Sequence, residues 1–230
     1  MSARVRRDAL LVCLTLSSGA VDAISYLGLG KVFTANMTGN IVLLGLAVGR
    51  SAGSELVRAA VSLVGYALGA FLGARIARRG GEHSWRREVT LALSLVAVLQ
   101  AALFGAWLGS SGHPGQTAEA LMVALSALAM GIQSAAVAAL GVAGVTTTYV
   151  TGTLTGLMGG LAAGSDNRLE LARRATVLVA LLAGAAIAVV ILTNVRRLAP
   201  LLPLLVTAAV VLYAATRSRT GEAAASTNRG

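Results

Sequence analysis

Read only for its hydrophobic and polar positions, the chain falls into six long apolar runs parted by short polar links. They lie at about 8–30, 56–77, 89–108, 118–142, 172–194 and 198–216. Each is close to the roughly 20 residues that an α-helix needs to cross a bilayer core of about 30 Å. Two shorter stretches, 31–49 and 143–160, break the pattern. Each is apolar but carries a Thr-rich piece with Thr-Gly inside it. The first contains Phe33-Thr34-Ala35-Asn36-Met37-Thr38-Gly39-Asn40 and the second Thr146-Thr147-Thr148-Tyr149-Val150-Thr151-Gly152-Thr153. These two read as broken or re-entrant membrane segments, with Gly39 and Gly152 as the places where the backbone leaves the helix. Irregular backbone at membrane depth is tolerated only where it is buried or lines a cavity. The alternative is that the Thr hydroxyls bond back to the preceding turn and the helices stay continuous.

Smaller signals fit this frame. Gly65, Gly69 and Gly73 recur every fourth residue, which puts three small residues on one helix face for close helix packing. Trp85 and Trp107 stand near the two ends of the third run, where amphipathic indoles favour the membrane–water interface. Pro200 and Pro203 fall in the first turns of the sixth run, where a missing N–H costs little. The stretch 217–230, rich in Ala, Ser, Thr and Gly, is expected to be a disordered tail.

Composition sharpens the class. The 230 residues are 56% hydrophobic and only 12% charged, with mean hydropathy +0.78. Soluble domains carry about 25% charged residues. Six spans with short links leave no room for a soluble domain, so residues 1–216 read as a single transmembrane domain. Its halves lie at about 8–110 and 118–216. The beginning of the chain imitates a secretory signal, with Arg4, Arg6 and Arg7 before an apolar run and then small residues. Because that run continues to Gly30 and has an internal counterpart, it reads as an uncleaved first span.

The formal net charge of +10 would suit a nucleic-acid binder, but its distribution does not. The arginines come in short clusters between apolar runs: Arg4, Arg6, Arg7; Arg75, Arg78, Arg79, Arg86, Arg87; Arg168, Arg173, Arg174; Arg217, Arg219. That is the pattern of cytoplasmic links under the positive-inside rule and of contact with anionic lipid head groups. Without a basic stripe interleaved with aromatics, nucleic acid is not an expected partner. The single cysteine, Cys13, excludes an intrachain disulfide and is expected to be a small buried hydrophobe. His83 and His113 lie in predicted loops, so no metal site or cofactor is expected.

A shift of 113 positions aligns residues 19–46 with 132–159 without gaps. Eight of the 28 pairs are identical, at Ala23/Ala136, Leu27/Leu140, Gly28/Gly141, Val32/Val145, Thr34/Thr147, Thr38/Thr151, Gly39/Gly152 and Leu44/Leu157. Self-similarity at a fixed offset marks an internal repeat. If the two interrupted segments do not change sides, the four arginine clusters all fall on the cytoplasmic side, as do both termini. Lys31, Arg50, Arg58, Arg196 and Arg197 are then the misfits. Each half has three spans, an odd number, so the halves are inverted relative to each other, a common transporter construction with discontinuous helices near the midplane.

Asp22 is the sharpest chemical clue. It lies inside the first span, where a carboxylate costs at least about 2.5–3.5 kcal/mol. One reading makes it a proton or cation coupling site; the other makes it a structural carboxylate bonded to Ser25, Asn36 or the Thr-rich segment. The candidate substrate- or ion-binding set is Asp22, Asn36, Thr38, Gly39, Asn40, Gln133, Thr148, Thr151 and Gly152. An enzyme is not expected: there is no Ser/His pair at plausible depth, no second intramembrane carboxylate, and no phosphate loop or dinucleotide fingerprint. Glu55, Glu82, Glu88, Glu119, Asp166 and Glu170 fall in links or at helix ends.

The run from Gly19 to Leu27 with Asp22 inside it, the Phe33-x-x-Asn36-x-Thr38-Gly39-Asn40 block, Gly131-Ile132-Gln133 and Thr147-Thr148-Tyr149-Val150-Thr151-Gly152 together resemble the YoaK-like family. Those are bacterial inner-membrane proteins of unknown function, and the similarity runs over nearly the whole chain. Ser134 and Thr153 stand where the family pattern has Asn, so a symmetric pair of asparagines is missing here. The resemblance implies a multi-pass protein of the bacterial plasma membrane and supplies no activity.

The resulting expectation is an all-α polytopic membrane protein of about six spans, built as two inverted three-helix repeats. A small secondary transporter or permease is the leading function, with a small solute or a proton or cation as ligand and Asp22 at its site. A membrane scaffold or accessory subunit that uses its glycine stripe to bind another protein is the first alternative, and a channel the second. The lipid bilayer with its anionic head groups is the expected partner in each case, and a homo-oligomer is allowed.

Overall fold

In a computed structural model of the chain, residues 3–77, 85, 87–141, 150–164 and 167–227 are described, with residue 3 and residues 217–227 as backbone only. Among them there are eight α-helices, one short 3-10 turn and no strand: α1 (Ala3–Gly28), α2 (Met37–Gly49), α3 (Gly53–Ala77), α4 (Arg87–Gly109), α5 (Gln116–Ala138), α6 (Val150–Ala162), α7 (Arg168–Asn194), the turn Arg196–Leu198, and α8 (Leu201–Thr227). Among the described residues, six stretches are long and apolar enough to cross a membrane: Arg4–Gly28, Gly53–Ala77, Arg87–Gly109, Gln116–Ala138, Arg168–Asn194 and Arg196–Thr216. Their bounds lie within four residues of those read from the sequence. Helices α2 and α6 are shorter, with 13 residues each. Both their first and their last residues are 113 positions apart, the offset of the sequence repeat.

Acidic residues sit where helix starts favour them. Glu55, Glu88, Glu119 and Glu170 occupy the first turns of α3, α4, α5 and α7. Pro200 precedes α8 and Pro203 lies in its first turn, as expected. The backbone of α8 continues to Thr227, over a stretch expected to be a disordered tail. The run Glu222-Ala223-Ala224-Ala225 consists of strong helix formers, which accounts for the extension.

Ion pairs and caps fix which helix ends meet. At one end Arg7 pairs with Asp8 at 3.4 Å and Arg173 reaches Asp8 at 3.9 Å, so α1 and α7 start side by side. At the other end the Arg58 guanidinium donates from Nε to the Gly30 carbonyl at 3.2 Å and pairs with Glu119 at 3.6 Å. That joins the end of α1 to the starts of α3 and α5. Nearby, Trp107 Nε1 donates to the Arg196 carbonyl at 2.9 Å, and Arg196 Nε donates to the Gly112 carbonyl at 2.7 Å. Arg58 and Arg196, misfits for a simple charge rule, are therefore clamps with protein partners. Trp107 stands near the end of α4, as expected, and is fully buried beneath this clamp and against Gly28.

The helices pack in matched pairs. α1 lies on α7 as α5 lies on α3; α8 lies on α1 as α4 lies on α5; α6 lies on α7 as α2 lies on α3. The two most extensive interfaces are closed by glycine. A Cβ at Gly19 would strike the Leu181 carbonyl and one at Gly184 the Leu16 carbonyl, which joins α1 to α7. Likewise a Cβ at Gly69 would strike the Leu128 carbonyl and one at Gly131 the Tyr66 carbonyl, which joins α3 to α5. The Gly65/Gly69/Gly73 stripe is thus spent within the chain, against α5. Cys13 does not join the core: it is exposed on the side of α1 away from Leu11 and Leu14.

Two apolar clusters form the interior. One gathers Leu11, Leu14, Val89, Leu93, Val96, Ile132 and Leu140; the other gathers Ile24, Leu29, Leu103, Trp107, Met122 and Leu192. Between them along α1 come Ser17 and Ser18, and along α4 comes Gln100, all buried. The first interrupted segment inserts beyond this layer, with Val32 in the second cluster and Ala35 packed on Val21 and Met130.

Candidate functional site

The site grows out of the break after α1. Its last turn closes with the Leu29 N–H on the Ser25 carbonyl at 2.9 Å and the Lys31 N–H on the Tyr26 carbonyl at 3.1 Å. Gly30 at φ +81° and Lys31 at φ +62° then turn the chain back on itself. For Gly30 that left-handed backbone is unstrained, whereas Lys31 is an uncommon occupant of it. Residues 32–36 run back beside α1, and Asn36 starts α2 by accepting the Gly39 N–H at 3.2 Å, an N-cap. The break therefore precedes the Thr-Gly pair. Gly39 is within the first turn of α2 and Gly152 within that of α6, both helical. Glycine at 39 answers a different need, since a Cβ there would come within 2.9 Å of the Phe33 ring.

The returning segment leaves its backbone groups without helix partners, and side chains take them. Asp22 Oδ1 accepts the Thr34 N–H at 2.9 Å and the Ala35 N–H at 2.7 Å. Asn40 and Ser62 hold both backbone groups of Phe33. The Thr34 hydroxyl lies 2.9 Å from Ser25 Oγ and 2.9 Å from Ser126 Oγ, which ties the segment to α1 and α5. Buried backbone polar groups need such partners, and each one supplied here fixes the segment further.

Asp22 and Asn36 border a cavity of about 570 Å³ between α1, the returning segment, the start of α6 and α7. Small-molecule sites are typically about 300–1,000 Å³. Tyr26 and Phe33 stand at its edge with their rings stacked, centroids 5.1 Å apart and planes at 19°. Leu178, Leu181, Leu182, Ala185 and Val189 of α7 form an apolar wall, and Val150 brings in the second short helix. Gly19, from the α1–α7 crossing, also borders it. The cavity thus offers one carboxylate, one amide and two aromatic rings opposite an aliphatic surface.

The remaining residues of the expected set lie elsewhere. Thr38 and Thr151 are exposed on the first turns of α2 and α6 and do not border the cavity. Asn40 is fully buried, with its amide engaged by Phe33 and Ser62. Gln133 is fully buried and crosses from α5 to α1, where its Nε2 donates to the Leu14 carbonyl at 3.2 Å and to Ser18 Oγ at 3.0 Å. Thr148 lies outside the described residues. The expected set leaves out Tyr26 and Phe33, which lie within the recognised motifs, and also Ser62 and Ser126. Ser62 had a legible signal, because it precedes Gly65, Gly69 and Gly73 on one helix face.

Comparison with known proteins agrees with this architecture. Residues 10–214 match the family model described as "Protein of unknown function (DUF1275)". The chain is similar to the UPF0700 transmembrane protein YoaK of Bacillus subtilis (strain 168), at 39% identity over 158 residues, which cover 69% of this chain and 68% of that protein. No solved structure matches it. With the family model covering most of its length and six helices of membrane-crossing size, the chain belongs to the DUF1275 family and is a multi-pass transmembrane protein.

Proposed function

We propose that this protein is a small secondary transporter or permease, with the cavity between α1 and α7 as its solute site. The observation that carries the reading is the position of Asp22 and Asn36 together on the wall of a cavity of about 570 Å³. A carboxylate within a membrane span is costly and usually marks a substrate, ion or proton site. Here it also holds the returning segment, so occupancy of the cavity and the position of that segment are mechanically joined. A proton or cation at Asp22 would weaken its hold on the Thr34 and Ala35 N–H groups. That gives a route from ligand binding to backbone movement.

The same reading takes the two halves as inverted repeats with re-entrant segments. Its support is the shift of 113 between α2 and α6 and the matched packing pairs. It places the protein in the bacterial plasma membrane with both termini cytoplasmic, from the arginine clusters and the Arg7–Asp8–Arg173 contacts at one end. A scaffold that recruits a partner through the Gly65/Gly69/Gly73 stripe is less favoured, because α5 already covers that stripe.

The test is a thermal-unfolding screen of detergent-purified protein against metabolites and ions, run beside Asp22→Asn. A ligand at about 100 times its Kd stabilises by roughly 2.7 kcal/mol. A stabilising compound that loses its effect in the variant identifies the solute for flux assays. A folded variant that responds like the parent protein removes Asp22 from the site.

A further inference from the structure

A second, smaller cavity lies where α1 and α4 meet α5 and α8. Ser25, Gln100 and Ser126 border it, with Met130, Pro200 and Pro203 among its apolar lining. It has room for the centre of a water-sized sphere over about 20 Å³. About 10–15 Å³ on that measure suffices for one water. Gln100 is 5% exposed, yet neither its Nε2 nor its Oε1 has a protein partner. A buried primary amide with both ends unpaired is rare and calls for a ligand.

The hydroxyls beside it settle what that ligand must offer. Ser25 Oγ donates to the Val21 carbonyl at 2.6 Å, so its one hydrogen is committed. Thr34 Oγ1, 2.9 Å from Ser25 Oγ, must therefore be the donor in that contact. Ser126 Oγ, 2.9 Å from Thr34 Oγ1, must in turn donate to Thr34. The chain runs one way, from Ser126 to Thr34 to Ser25 to the Val21 carbonyl. A hydroxyl carries one hydrogen and two lone pairs, so Ser126 Oγ, with its hydrogen given to Thr34, can only accept from the cavity. The cavity then presents acceptors at Ser126 Oγ and Gln100 Oε1 and a donor at Gln100 Nε2. None of its bordering residues is Asp or Glu.

We propose that this cavity is a binding site for ordered water, which bridges Gln100 on α4 to Ser126 on α5. Water donates twice and accepts twice, matching both ends of the amide and the terminal hydroxyl. A metal cation cannot use the amide N–H and finds no carboxylate to balance its charge. Through Ser126 and Thr34 the water joins α4 to the segment whose N–H groups hold Asp22. The inference stands apart from the transport reading, since it needs neither the larger cavity nor a solute.

The decisive experiment is a structure of the full unmodified chain at a resolution that shows ordered solvent. Density within hydrogen-bond distance of both the Gln100 amide and Ser126 Oγ is the expected result. A cavity without density, or a Gln100 side chain turned onto a backbone carbonyl, overturns the proposal. A thermal-unfolding cycle provides a second reading, with Gln100→Met, Ser126→Ala and the double variant. Bridging water predicts that each single change lowers Tm and that the double change lowers it by less than the sum. Strictly additive losses mean that nothing bridges the two side chains, which overturns the proposal.

Discussion

The side-chain amide of Asn40 closes on the backbone of Phe33 from both sides. Its Oδ1 accepts the Phe33 N–H at 2.9 Å and its Nδ2 donates to the Phe33 carbonyl at 2.5 Å. Ser62 on α3 donates to that carbonyl at 2.6 Å and accepts from Asn40 Nδ2 at 2.9 Å. A side chain thus does for Phe33 what a neighbouring strand does in a sheet. Asn40→Ala leaves the Phe33 N–H without its acceptor in a buried setting, at a cost of about 1–3 kcal/mol. A lowered Tm in detergent is the expected outcome; unchanged stability would mean that the returning segment is held by something else.

Asp22 has a structural and a proposed binding role, and two substitutions separate them. Asp22→Ala removes the acceptor of the Thr34 and Ala35 N–H groups and should destabilise by about 1–3 kcal/mol. Asp22→Asn keeps an acceptor oxygen at the same place and should unfold close to the parent protein. If the two variants unfold alike, the carboxylate charge rather than its geometry holds the segment.

The glycine crossings give a prediction with an internal control. Gly69→Ala and Gly184→Ala push a methyl group into the Leu128 and Leu16 carbonyls, so each should cost about 1–3 kcal/mol or more. Gly105 on α4 has nothing within 4 Å of the position of a Cβ. Gly105→Ala should be neutral or gain up to about 1 kcal/mol from helix propensity. Comparable losses at all three positions would show that the crossings are not as close as described.

Sidedness is open to direct labelling. Cys13 is exposed and must be replaced first. Single cysteines at Arg4, on the first turn of α1, and at His113, beyond the end of α4, should then react with impermeant reagents from opposite sides. Arg4→Cys is expected to react from the cytoplasm and His113→Cys from outside. Reaction of both from one side would contradict the six-span arrangement.

Much of this fold is legible in the sequence because hydrophobic length and a bilayer's thickness are directly comparable. The six long runs, the shorter α2 and α6 and their offset of 113 follow from apolar spacing and repeated Thr-Gly pairs. Asp22 stands out for a similar reason, as a carboxylate among residues that have no call for one. Asn36 was legible as a polar residue at a break, and the structure adds that it caps α2.

What the sequence could not decide is which way each apolar face looks. In water, polarity separates the outside of a helix from its inside. Next to lipid both sides are apolar, and packing is chosen by shape and by small residues. Cys13 was expected inside and is outside, while Trp107, at the expected end of α4, turns inward and is buried under Arg196. The same limit applies to the polar set. Asn40, Gln133, Thr38 and Asn36 look alike as intramembrane polar residues, yet two are bound into the core, one is exposed away from the cavity and one borders it. Composition and spacing determined that this is a multi-pass membrane protein with six helices of membrane-crossing length among the described residues and an unusual carboxylate. Only the tertiary structure decided which polar groups satisfy backbone and which face a cavity, because that depends on hydrogen-bond partners far apart in the chain.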